Sequence, residues 1–136
     1  MTRKLGLGDL AGLDADLLPM LVESKVDHTG FYRDLARLAR GQQGPRDRFL
    51  DRAAFDAWAA RWLALGPDPD LMDRVNPVYV PRNHLVEAAL AAASDGDLSL
   101  LPPLLEAVTH PYDERPELAA YALPGTAPDY QTFCGT

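Results

Sequence analysis

Three histidines, one cysteine and twenty acids are the groups in this chain that could carry acid–base, nucleophilic or metal chemistry. A metal site needs ligands clustered at short spacing. His28, His84 and His110 are far apart, and none has a His or Cys three or four residues away. Each is read as a structural or surface histidine, and no metal ligand is assigned. Cys134 could pair with one of them as a nucleophile. Such a nucleophile is normally held on a rigid element beside an oriented base. Cys134 instead stands third from the end of a proline-rich stretch, before Gly135 and Thr136. An oxidisable thiol suits that place better than a hydrolytic nucleophile, and a cysteine with no role is the plain alternative. Asp68/Asp70 and Asp113/Glu114 are carboxylate pairs, but among so many acids such pairs arise by chance. Arg82 and Asn83 stand at a helix start, where an anion could be held. Hydrogen bonding to the backbone of the turn is the preferred reading there. Arg33, Arg37, Arg40, Arg46, Arg48 and Arg52 form a cluster with acids interleaved. It reads as a solvated helix face, with a phosphate contact as the alternative. Gly6 and Gly8 lack the lysine and hydroxyl that a phosphate loop requires.

The elements that must position these groups are helical. The organising stretch is Asn76 to Ala89, NPVYVPRNHLVEAA. Asn76-Pro77 is a turn pair, and Val78, Tyr79 and Val80 favour extended backbone. Pro81 suits a first helical turn, after which Leu85, Val86, Ala89, Leu90 and Ala93 recur at helical spacing. Before it, Met1 to Gly12 reads as a lead-in. Asp14 is a candidate cap for a helix with Leu17, Leu18, Leu21 and Val22 on one stripe, ending near Val26. Asp27 or Thr29 opens a second helix, with Phe31, Leu35 and Leu38 inward and Gly41 at its end. Arg33, Asp34, Arg37 and Arg40 are expected on its other side. Asp51 caps a third helix, whose Phe55, Trp58, Ala59, Trp62 and Leu63 make the bulkiest apolar face. A short helical turn follows at Asp70 to Val75. After Asp97 or Ser99 comes a further helix, with Leu100, Leu101, Leu104, Leu105 and Val108 inward. Residues 111–136 hold four prolines and read as an extended tail anchored by Tyr112, Tyr121, Tyr130 and Phe133.

The expected architecture is therefore mainly α, a bundle of about five helices over residues 1–110 with a tail at 111–136. Apolar residues make up 47% and charged residues 24%, which argues against wholesale disorder. The net charge of −7 argues against a nucleic-acid backbone as partner. A single cysteine permits no internal disulfide, which fits a reducing compartment. No apolar run nears the roughly 20 residues that cross a bilayer, and MTRKLGLGDL lacks the apolar core of a secretory signal. A cytoplasmic location away from membranes is expected.

Two pieces of the chain resemble a known family. NPVYVPRNHLVEAAL in the middle, and PYDERPELAAYALP with YQTFCGT at the end, resemble the carboxy-terminal region of the selenoprotein O family of YdiU-like proteins. RKLGL at Arg3 to Leu7 and VDHTGFYRDL at Val26 to Leu35 agree with it. A cysteine or selenocysteine near the extreme carboxy terminus marks that family, and Cys134 has that place. The resemblance implies the last part of a kinase-like fold. It also implies an enzyme that transfers AMP from ATP to protein hydroxyls with Mg²⁺ or Mn²⁺. The family's nucleotide and metal residues lie upstream of the matched region. This chain has no Gly-rich loop, no ATP-positioning lysine in a strand and no metal-binding aspartate motif. No catalytic residue is carried over, no cofactor is assigned to the chain itself, and Cys134 alone transfers by position as a redox-sensitive thiol. The implied partners are a kinase-like core, covalently joined or separate, and the protein substrates of the whole enzyme. Two alternatives stand beside that reading: a free-standing helical interaction module without activity, and a small hydrolase dependent on Cys134.

Overall fold

The computed structural model describes residues 1–125. These residues are helical, with six α-helices and no strand among them. The protein is thus a small, mainly α chain. The helices are α1 (Leu13–Glu23), α2 (His28–Ala39), α3 (Arg52–Ala64), α4 (Pro69–Val75), α5 (Asn83–Ser94) and α6 (Leu101–Thr109). Three 3-10 segments, Arg3–Leu5, Arg46–Arg48 and Pro116–Ala122, complete the order. Two compact units divide at Pro77 and Val78. The boundary after residue 110 expected from the sequence is not where the contacts fall, because residues 111–122 pack back within the second unit.

In the first unit the caps follow local chemistry. Asp27 accepts from Gly30 N at 2.9 Å, Asp51 from Ala54 N at 2.9 Å, and Asp68 from both Asp70 N and Leu71 N. Each satisfies backbone donors that a helix start leaves open. Helix α1 differs from expectation: Gly12 precedes it, and Asp14 lies in its first turn. At the end of α2, Gly41 adopts φ +80 while Gln42 N bonds Arg37 O and Gly41 N bonds Leu38 O. That pair of bonds is the Schellman closure.

The core of this unit is a run of rings. Phe31, Phe49, Phe55, Trp58 and Trp62 follow one another with centroids 4.5–6.0 Å apart. Both indoles find carbonyl partners, Trp58 Nε1 donating to Leu13 O and Trp62 Nε1 to Leu5 O, each at 2.9 Å. The first twelve residues are thus no mere lead-in, because Leu5 and Leu7 are buried. Gly6 fits there because φ is +68 and a Cβ would lie 2.7 Å from Asp68 O. Leu13, Leu17 and Leu21 form the buried stripe of α1, whereas Leu18 and Val22 are exposed. Leu63 is exposed as well, one position past the buried arc of α3.

The second unit has a smaller core, centred on Val78, Tyr79, Ala107 and Leu118. Pro81 lies ahead of α5, whose N-cap is Arg82. Pro102 and Pro103 do fall in the first turn of α6, where a missing N–H costs nothing. Residues 116–122 form a 3-10 helix with Leu118 buried, so this part of the expected tail is folded. Tyr112 is exposed, whereas Tyr121 packs on the cluster. Of the apolar face expected on α5 only Ala89 is buried, and on α6 the buried positions are Leu104 and Ala107. Leu90, Leu100 and Leu105 are exposed instead.

Candidate functional site

The turn residues singled out from sequence are divided between the two units. Asn76 and Pro77 close the first. Asn76 is buried, its Nδ2 donates to Lys4 O at 2.9 Å, and its carbonyl accepts from Arg33 Nη1 at 3.2 Å. Its own N–H closes α4 on Met72 O at 2.9 Å. Asn76 therefore clasps the chain's first turn, α2 and α4 together. Its Oδ1 is buried with no hydrogen-bond partner among the described residues. Pro77 follows at the boundary and is half-buried.

Arg33 is the other half of that clasp. Its guanidinium is buried, bonds Asp73 O at 3.0 Å and pairs with Asp73 Oδ1 at 3.4 Å. The solvated-face reading of the arginine cluster fails at this position. The buried arc of α2 takes in Phe31, Tyr32, Arg33, Leu35 and Ala36, so little of the helix is left for solvent. The remaining arginines are consumed by aspartates. Arg37 and Arg48 share Asp34, Arg40 bonds Asp70 and Asp73 at 2.8 Å, Arg46 grips Asp56 through its Nε, and Arg52 lies 3.7 Å from Asp47. Asp70, with Asp73 behind it, raises Arg40 above its ordinary value. A cluster neutralised pair by pair has little field left to hold a phosphate.

Two shallow depressions border this network. One, of about 440 Å³, is lined by Leu38, Phe55 and Leu63 together with Gln42, Arg46 and Asp56. The second, of about 290 Å³, is lined by the paired charges of Asp34, Arg37 and Arg48. Neither holds an acid and a base poised for proton transfer. Burial raises the Tyr32 phenol, whose hydroxyl donates to Met1 Sδ at 3.4 Å. It lies in the core, away from either depression's lining.

In the second unit, Tyr79 and Arg82 hold the segment after α6. The Tyr79 hydroxyl accepts from Arg115 N at 2.9 Å and donates to Arg115 O at 3.1 Å. Val78 N donates to Pro111 O at 2.7 Å. Arg82 Nη2 donates to Ala122 O at 2.9 Å, while its carbonyl receives Leu85 N and Val86 N. That guanidinium thus bonds backbone forty residues away. Asn83 is the first residue of α5 and is half-buried. His84 faces Gly125, whose Cβ, if present, would lie 3.2 Å from its Nδ1. His110 is exposed, 3.9 Å from Glu106, and His28 is exposed at the start of α2. Among the described residues no three His, Cys, Asp or Glu side chains are grouped to share a cation. Cys134, Tyr130 and Phe133 lie outside the described residues.

The roles of Arg33 and Asn76 escaped the sequence reading. Two signals pointed to them: an arginine flanked by Phe31, Tyr32 and Leu35, and an asparagine closing a short helix. Among the described residues the geometry holds backbone in place and does not gather reactive groups.

No family model matches the chain. Comparison with curated proteins is decisive instead. The chain is 57% identical over 135 residues to the protein nucleotidyltransferase YdiU of Mycolicibacterium paratuberculosis, covering 93% of this chain and 27% of that protein. It is 52% identical over 146 aligned positions to the protein of the same name in Mycobacterium sp. (strain KMS), covering all of this chain and 30% of that one. This chain is a relative of the YdiU protein nucleotidyltransferases. A third relative, in Pseudarthrobacter chlorophenolicus, is 56% identical over 120 residues and 24% covered. The chain therefore spans 24–30% of the length of these YdiU proteins. Both units fall within the whole-chain match. Among the described residues, no helix is long and apolar enough to cross a membrane.

Proposed function

We propose that this chain is the carboxy-terminal helical support of a YdiU-type protein nucleotidyltransferase, whose whole polypeptide moves AMP from ATP onto Ser, Thr or Tyr hydroxyls of target proteins. One observation carries the reading. A match of 52% runs over all of this chain yet reaches only 30% of the relative, and the matched part contains no phosphate loop. In AMP transfer the hydroxyl oxygen bonds the α-phosphorus, its proton passes to a base, and the bond to pyrophosphate breaks. Mg²⁺ or Mn²⁺ offsets the phosphate charge in that chemistry. Residues for these steps are assigned to the rest of the polypeptide, a kinase-like core.

What this chain supplies is scaffold. The Arg33–Asn76–Lys4 clasp and the Tyr79–Arg115 latch fix backbone within each unit. The cytoplasm is the proposed setting, since a single cysteine fits a reducing compartment. Cys134, carried to the end of the chain, is the proposed redox-sensitive thiol.

The test is the intact mass of the native polypeptide, captured from source cells with an antibody raised to this chain. The reading expects a species roughly three to four times 14.9 kDa, given the coverage of the relatives. A species at 14.9 kDa would overturn it and favour a free-standing interaction module. Calorimetry of the 136-residue chain with ATP and Mg²⁺ should show no micromolar binding; binding at that level would place the nucleotide site here.

A further inference from the structure

We infer that the α5–α6 hairpin is the surface on which the rest of the YdiU-type polypeptide docks. This rests on the proposed function and names the face that serves it. Helices α5 and α6 are joined by residues 95–100 and pack on each other. A link that short makes neighbouring helices antiparallel. Leu90 stands one residue after the buried Ala89, and Leu105 one residue after the buried Leu104. Each leucine thus lies just off the buried stripe of its own helix. Leu90 is 57% exposed and Leu105 55% exposed, and in the link Leu98 is 61% exposed. A helix this apolar around its circumference is normally covered.

The charges on the hairpin define its partner. Between Asn83 and Thr109 the charged side chains are Glu87, Asp95, Asp97 and Glu106, all acidic. Glu106 is taken by Arg115 at 2.6 Å. The complementary surface is an apolar groove rimmed by Lys or Arg. A source for it exists, because at least seven-tenths of each of these two YdiU proteins lies outside the matched segment.

The experiment compares L90K/L105K in the full-length native polypeptide and in the 136-residue chain. Lysine is chosen because it adds charge of the same sign as the expected rim. The expected result is a melting temperature lower by about 5 °C in the full-length protein and an unchanged value in the short chain. Hydrogen exchange on the unsubstituted proteins guards against a variant that fails to fold. Amides of 83–109 should exchange at least about tenfold more slowly in the full-length protein than in the short chain. Equal melting and equal exchange would overturn the inference while leaving the proposed function intact. The absence of any longer native polypeptide would overturn both. A short chain that sediments as a dimer and becomes a monomer on L90K/L105K would assign the face to a second copy and overturn the inference. A short chain destabilised by the substitution would show the face already covered within it, with the same consequence.

Discussion

The two units spend their apolar residues differently. Among the described residues, the first unit buries sixteen apolar side chains, including both tryptophans and three phenylalanines, whereas the second buries six, of which Tyr79 is the only ring. The first unit also turns charge inward, with Arg33 bonded between Asp73 and Asn76. The second holds its segments together by latching backbone with Tyr79 and Arg82, and leaves Leu90, Leu98 and Leu105 exposed. The contrast teaches that one unit is built on a large aromatic core, and the other on a smaller core with leucines left at its surface.

The largest effect that could break this comparison is at Trp62. Its side chain is wholly buried and its Nε1 bonds Leu5 O. Trp62→Ala should cost about 3–5 kcal/mol of unfolding free energy, read by urea titration. A cost below about 1 kcal/mol would mean that the aromatic run is not what holds the first unit. Arg33→Met keeps the stem and removes the charge. It strands the carbonyls of Asp73 and Asn76, so a loss of about 2–3 kcal/mol is expected, read by the same titration. Tyr79→Phe tests the second unit, removing the acceptor for Arg115 N and the donor to Arg115 O. The expected loss is about 1–2 kcal/mol, with faster hydrogen exchange confined to residues 111–122. Faster exchange along α2 and α3 as well would mean that the effect of this latch is not confined to the second unit.

The sequence made the regular parts of this fold legible. The helical spacing of Phe55, Trp58 and Trp62, the caps at Asp27 and Asp51, and the glycine closing α2 are local signals, set by neighbours three or four residues away. What escaped is non-local. Arg33 is buried because α4 and the 76–77 turn cover it, forty residues on. Asn76 reaches Lys4 across seventy-two positions. Leu5 and Leu7 lack periodicity of their own, and only the Trp62 indole and Asp68 backbone show why they are buried. Of the site residues, Asn76 and Arg82 were found as turn residues. Their distant partners Lys4 and Ala122 were not, since no spacing rule links them.

The apolar spacing of α5 and α6 was legible too, and it misled in an instructive way. Leu90 and Leu105 were expected inward because periodicity says that a face will be covered without saying by what. Leu105→Gln in the 136-residue chain sharpens the point with the smallest predicted effect. An exposed leucine has little to lose, so unfolding free energy should move by no more than about 0.5 kcal/mol by thermal melting. A loss of about 2 kcal/mol, the scale of a buried leucine, would mean that this chain covers its own α5–α6 face. The second unit would then have a core as complete as the first, and the difference between them would be one of size alone.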